Sequence, residues 1–338
     1  MNKYLHRYAL VTAFFTFFLI IAGGMVTSTG SGLAVPDWPL SYGQLMPPMV
    51  GGIFYEHGHR MVATFVGFLT VILAVWLWKA ERRKWVKWLG VIALGAVLLQ
   101  GALGGLTVIF LLPTVISVSH AALAQSFFCL VASIALFTSP WWEKNDGGGH
   151  GEQQGRKLFR ITVVMVGVVF IQLLLGAIMR HTESGLAVPD FPLAFGAIFP
   201  PLSADALERY NRILLDSHIR IAADGPVTAF QVLIHLAHRL WAIVVLITAV
   251  GVVVVLRQSP VARTRMLSKG ILILVLAQAT LGAFTVLTRK DELVATAHVA
   301  FGALTLVASV LLALHVARLA GITFHRRAPA PVGSEALA

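Results

Sequence analysis

The chain has 338 residues, 57% hydrophobic and only 12% charged, with a formal net charge of +11. Its mean hydropathy of +0.82 excludes a soluble globular domain, which carries about twice that share of charge. A basic surplus in a soluble chain points to nucleic acid, but here the cations lie between long apolar runs, so they report membrane topology and attraction to anionic lipid instead.

About 20 apolar residues cross a hydrocarbon core of roughly 30 Å. Runs of that length lie near 8–27, 54–78, 88–111, 115–138, 158–180, 227–256, 266–287 and 293–318. The first run follows Lys3 and Arg7 and resembles a secretory leader, but the segment after it recurs after the fifth run, so it is structural. Segment 28–53 has no Lys or Arg, as does 112–114, which places the odd-numbered connections outside. Lys79, Arg82, Arg83, Lys84 and Lys87 follow the second run; Lys144, Arg156, Lys157 and Arg160 follow the fourth. Cations recur between runs six and seven (Arg257, Arg263, Arg265, Lys269) and after the eighth (Arg318, Arg326, Arg327), so both termini and the even-numbered connections are cytoplasmic by the positive-inside rule. Cys129 is the only cysteine. Lying in an apolar run, it reads as a small core residue and excludes an intramolecular disulfide.

Gly23–Pro48 (GGMVTSTGSGLAVPDWPLSYGQLMPP) is repeated as Gly176–Pro201 (GAIMRHTESGLAVPDFPLAFGAIFPP). Further matches follow in order: residues 56–60 (EHGHR) with 235–239 (HLAHR), 100–104 (QGALG) with 278–282 (QATLG), and Ser119-His120-Ala121 with Ala297-His298-Val299. A unit of four spans is therefore duplicated, and four crossings return the chain to its starting side. The expected architecture is an all-α membrane protein: eight transmembrane helices in two parallel four-helix bundles, pseudo-symmetric about the membrane normal. The bundles comprise residues 1–138 and 158–320, with a cytoplasmic linker at 139–157 and a tail at 321–338. The linker stretch Ser139–Gly155, with its Asp-Gly-Gly-Gly-His sequence, has the composition of a flexible tether.

The Pro- and Gly-rich outer loops are expected either to form turns at PDWP and PDFP with Trp38 or Phe191 resting at the interface, or to cap the bundle mouths. The second half adds 202–228, where Leu207, Tyr210 and Leu214 fall at helical spacing beside Arg209 and Arg212, the pattern of an interfacial amphipathic helix.

His59 and His120 begin the second and fourth spans, and His238 and His298 occupy the same places in the second half. Ionisable groups inside a membrane are costly, and two imidazoles at equal depth on helices of one bundle suit axial ligation of heme iron. A zinc site would need a third close ligand. Arg60 and Arg239 follow the first histidine of each pair, placed to fork onto heme propionates. Glu56 lies three residues before His59 on the same helical face, where the second half has His235. A carboxyl there can move protons or stabilise positive charge, so the halves divide into a reactive site and an electron-carrying one. His57, His181, His218 and His235 are weaker candidates; His6, His150, His315 and His325 read as terminal or linker residues.

In its EHGHR motif, paired later histidines, duplicated four-helix unit and GSGLAVPDWP loop, the sequence resembles the heme A synthase family over about residues 8–318. That resemblance implies oxidation of the C8 methyl of heme O to the formyl of heme A, through an alcohol and a hydrated aldehyde. Glu56, His59 and His120 would form the substrate heme pocket, while His238 and His298 would hold a heme b that passes electrons. Implied partners are heme O synthase, an electron donor such as a ferredoxin, cytochrome oxidase assembly and a second copy of the chain, in a bacterial inner membrane, with no nucleic acid. Family members often carry a cysteine pair in the outer loop. Val35–Gln44 has none, which tells against a thiol-based step but not against the heme ligands. The rival readings are a di-heme cytochrome b that only relays electrons and a parallel-repeat transporter, the latter opposed by histidines near the outer helix ends.

Overall fold

The computed structural model describes residues 3–144, 152–219 and 225–322. The Asp-Gly-Gly-Gly-His stretch, His150, His325, Arg326, Arg327 and nearly all of the tail lie outside the described residues. Eight helices are long and apolar enough to cross a membrane: α1 (Lys3–Ser28), α2 (Gly51–Ala80), α3 (Lys84–Ile109), α4 (Thr114–Phe137), α6 (Glu152–His181), α8 (Ala229–Leu256), α9 (Ala262–Leu287) and α10 (Glu292–Leu319). Two shorter helices, α5 (Pro140–Lys144) and α7 (Ala204–Asp216), complete the set among the described residues, which contain no strand.

Helix ends overrun the apolar runs where good helix formers extend beyond the hydrocarbon. Thus α1 starts at Lys3 and α6 at Glu152. Starts are set by local chemistry. Ser203 caps α7, Thr228 and Gln231 form a capping box on α8, and the Asp291 carboxylate accepts from the Leu293 and Val294 N–H groups on α10.

Helices α1 to α4 close a ring of neighbours, each packing on the next and α4 on α1; α6, α8, α9 and α10 close a second ring. The rings meet through α4 against α10, α1 against α10, and α4 against α6. Accordingly 61% of the apolar window of α10 and 44% of that of α4 is buried, against 17% for α3 and α9, whose outer faces are left to lipid. Lipid tails give helices little hydrophobic reason to associate, so close packing and internal polar satisfaction carry the assembly. At the seam Ile20, Phe128, Ala132, Ala303 and Val307 interdigitate, Phe17 stacks on Phe128, and Cys129 fills a small gap. Intramembrane hydroxyls return their hydrogen bonds to the preceding turn, as Thr12 does to Tyr8 O and Thr70 to Val66 O.

Three expectations change. The start of the linker is folded: Trp142 is buried against Phe137 with Arg318 over its ring, and Trp141 stacks on His315 at 4.4 Å between centroids. His315 is therefore a buried helix residue, hydrogen-bonded to Thr264, because α10 runs past it. His6 likewise lies within α1 and reaches Ala135 O. The apolar face of α7 is spent on protein, since Ala206, Tyr210 and Leu214 pack on Ala187, Val188 and Ala194, and Phe195 stacks on Tyr210 at 3.8 Å.

Candidate functional site

The four intramembrane histidines lie about one and a half to two and a half turns inside their helices, on the side of the α1–α2 and α6–α8 loops. Each ring meets a glycine of a neighbouring helix. A Cβ at Gly23 (α1) would fall 3.0 Å from His59 Cε1, and one at Gly176 (α6) 3.0 Å from His238 Cε1. At Gly104 (α3) and Gly282 (α9) it would fall 3.2 and 3.1 Å from Cε1 of His120 and His298. Four residues before each of the latter glycines, and so on the same helix face, a glutamine donates to the backbone of the same histidine: Gln100 to His120 O at 3.0 Å, Gln278 to His298 O at 2.6 Å. The repeated Q-x-x-x-G motif thus fixes the histidine backbone with one residue and leaves room for its ring with the other.

In the second half the two imidazoles approach one another. His238 and His298 have ring centroids 6.3 Å apart at 76°; His59 and His120 lie within electrostatic range. Metal–imidazole bonds run to about 2 Å. Bonds of that length would let both rings of the His238–His298 pair reach one metal ion. Buried imidazole nitrogens normally have partners, yet Nδ1 of His59, His120 and His298 is buried with none among the described residues. His238 differs in having Gln172 Nε2 at 3.2 and 3.3 Å from its ring nitrogens. Paired rings, orphaned nitrogens and glycine relief on each side fit a planar metal macrocycle held by two histidines. No group of three or more His, Cys, Asp or Glu side chains converges as a metal site among the described residues.

The loop over each pair is built the same way twice. Asp37 accepts from Tyr42 N and Gly43 N at 2.6 and 2.8 Å; Asp190 accepts from Phe195 N and Gly196 N at 2.8 and 3.0 Å. Tyr42, Gly43, Phe195 and Gly196 all take positive φ, the turn each aspartate stabilises. These N–H bonds, from Gly43 first and Tyr42 next, hold the Asp37 carboxyl below the ordinary carboxylate range, and Arg60 adds to them. Peptide bonds Trp38–Pro39 and Phe191–Pro192 are both cis. The Trp38 indole lies on α3 where Gly105 leaves space, a Cβ there falling 2.7 Å from Cδ2. The loop therefore closes on the helix that also touches His120.

The two arginines depart from expectation. Arg60 donates to the carbonyls of Asp37, Leu40 and Val35 and, at 2.6 Å, to Glu56 Oε1. Arg239 donates to Leu193, Val188 and Asp190 carbonyls, the repeat-equivalent set. Both forks clasp the loop, so the expected propionate contacts would have to displace loop carbonyls. Glu56 is buried and fully engaged, accepting from Arg60 on one oxygen and from Val35 N at 2.8 Å on the other. Its counterpart His235 meets Ser184 O at 2.9 Å. Of the weaker candidates, His57 pairs with Ser41 Oγ at 2.8 Å, leaving Nε2 without a partner among the described residues. His181 ends α6 within electrostatic range of His120, and His218 lies in the turn after α7. Sequence reading missed Arg180, whose signal is a cation inside a span where the first half has Thr27.

Fold and site together define a polytopic helical membrane protein with repeat-related histidines inside four of its spans and matching loops between α1 and α2 and between α6 and α8. Residues 6–310 match the family model of the COX15-CtaA cytochrome oxidase assembly proteins. Relatives include the heme A synthases of Shouchella clausii (30% identical, covering 76% of this chain and 88% of the relative), Geobacillus kaustophilus (28%, covering 89% and 88%) and Methylobacterium radiotolerans (26%, covering 95% and 92%). The chain belongs to the COX15-CtaA family.

Proposed function

We propose that this protein is a heme A synthase, a membrane oxidoreductase that converts the C8 methyl of heme O to the formyl of heme A. The observation that carries the reading is the presence of two intramembrane histidine pairs, each relieved by glycines and each under an identically built loop, in a chain of this family. His59 and His120 bind the substrate heme, and His238 and His298 hold a heme b. When bound, that heme b supplies one-electron chemistry beside the substrate site.

The chain's own residues orient and enclose. Gln100 and Gln278 fix the backbones that carry His120 and His298, and the four glycines let the rings stand upright between helices. The Arg60 and Arg239 forks hold the loops across the bundle mouths and exclude water. Glu56 is the polar group distinguishing the first half, one helical turn from His59, and acts there on a proton or a developing positive charge once the loop yields its Val35 contact. The halves are two bundles, 1–138 and 158–320, related by an axis along the membrane normal. The termini face the cytoplasm of a bacterial inner membrane, by the placement of the cations. Heme O synthase, a ferredoxin-type donor, the oxidase assembly apparatus and a second copy of the chain are the partners this reading calls for.

Pigment extraction tests it. Wild-type protein should yield heme O or heme A together with heme b, and Glu56→Ala should retain heme b and accumulate unconverted heme O. Heme b alone from wild type would make the protein an electron carrier, and unchanged conversion in Glu56→Ala would remove that residue from the chemistry.

A further inference from the structure

Arg180 is a cation that reaches from the second half to the first, and nothing above gives it a role. Gly176 touches the His238 ring, and Arg180 follows it by four residues on the same face of α6. The backbone of Arg180 therefore lies one turn, about 6 Å, further along α6 than the glycine that meets His238, toward the loop side, and its side chain reaches across to α1. It is also within electrostatic range of His298. Its Nη2 donates to Gly24 O at 2.7 Å and Ser28 Oγ at 2.8 Å on α1, and Thr296 of α10 completes that corner by donating to Ser28. A guanidinium has five N–H donors. Nε and Nη1 make no hydrogen bond, and no carboxylate pairs with Arg180, among the described residues.

Lys290 reinforces the corner. Its stem lies on Gly185, and its ammonium is within range of Arg180 and Glu183. Burial first, and Arg180 next, hold Lys290 below the ordinary lysine range against the opposing pull of Glu183. Lys290 and Glu183 are exposed and answer one another, so the charge left without a carboxylate is that of the partly buried Arg180, which an anion would stabilise. In the first half the position of Arg180 is Thr27, whose hydroxyl returns to its own helix at Gly23 O, so this anion site belongs to the second half alone.

We propose that Arg180, supported by Lys290, is the carboxylate-binding site for a propionate of the heme held by His238 and His298. This rests on the heme b reading of that pair. It moves propionate recognition from Arg239, which is committed to its loop, to the seam. The bound carboxylate would be met by Nε and Nη1 while Nη2 keeps its hold on α1, tying occupancy of the second-half site to packing of the two halves.

The test is optical titration of heme-depleted full-length protein with hemin and with hemin dimethyl ester, taking the His238-dependent share by subtracting the His238→Ala signal. Arg180→Gln should weaken that share of hemin binding roughly ten- to hundredfold, the worth of a charged hydrogen bond. Arg180→Lys should recover part of it, and Lys290→Gln should lose less. The ester should bind wild type weakly and be indifferent to Arg180→Gln. Equal weakening of hemin and ester would make Arg180 a packing residue and overturn the proposal, as would unchanged hemin binding in Arg180→Gln. Anionic lipid vesicles that compete with the ester as well as with hemin would assign the corner to a headgroup. A wild-type protein with no His238-dependent hemin uptake would instead defeat the heme reading itself.

Discussion

Replacing Arg60 by Ala removes donors to three loop carbonyls and to Glu56, and leaves the Glu56 carboxylate, 4% exposed, with Val35 N as its remaining partner. Breaking a buried pair from one side costs about 3–5 kcal/mol. Because Arg60 keeps 16% of its side chain exposed, solvent recovers part of this and about 2–4 kcal/mol is expected. Much of that loss comes from stranding a charge. In a Glu56→Gln background the same Arg60→Ala change should therefore cost about 1–3 kcal/mol less. Arg60→Lys should be intermediate, since an ammonium can face Glu56 but does not reproduce the planar fork onto several carbonyls. The assay is a double-mutant cycle on denaturation of the detergent-solubilised protein, with proteolysis in the 29–50 loop as a local readout. Equal costs in both backgrounds, or a loop no more susceptible to cleavage, would refute the clasp.

Other outcomes follow from the same geometry. Gly23→Ala and Gly176→Ala each drive a methyl to 3.0 Å from a histidine carbon, so the first should perturb the absorption of the His59 centre alone and the second that of the His238 centre alone. Gly105→Ala should dislodge Trp38, whose rigid indole lies 2.7 Å from the new methyl. Trp38→Phe should rescue it, because the repeat has Phe191 and Ala283 at these positions; thermal stability of the single and double variants checks this. Asp37 has a folded-state pKa lowered by its N–H bonds, so its hold on the turn is present above the ordinary carboxylate value of about 3.9 and is lost as pH falls through the depressed one. The Trp38 contribution to fluorescence, taken against Trp38→Phe, should change in that acid range and not in Asp37→Asn.

The eight spans were legible because a bilayer admits few alternatives to a long apolar helix. The duplication, read from GLAVPD and the histidine spacing, anticipated which helices neighbour one another. The placing of the four histidines was legible for the same reason, since the repeat sets them at matching positions near the starts of four spans. What Arg60 and Arg239 touch was not, because their acceptors are backbone carbonyls some 20 to 50 residues earlier and any side chain presents the same carbonyl. The repetition of both the arginine and the loop was the available sign that they belong together. Glu56 shares the helix of His59, but its two partners depend on loop closure, which spacing along one helix does not contain. The folded start of the linker escaped because Trp141 and Trp142 find His315 and Arg318 across the seam, contacts with no local periodicity.

On the proposed function the two histidine pairs would hold different hemes. Mass spectrometry of heme extracted from His59→Ala and His238→Ala proteins tests it most directly: His59→Ala should lose heme O and heme A while keeping heme b, and His238→Ala should lose heme b. Loss of the same pigment from both variants, or of none from either, would contradict the account.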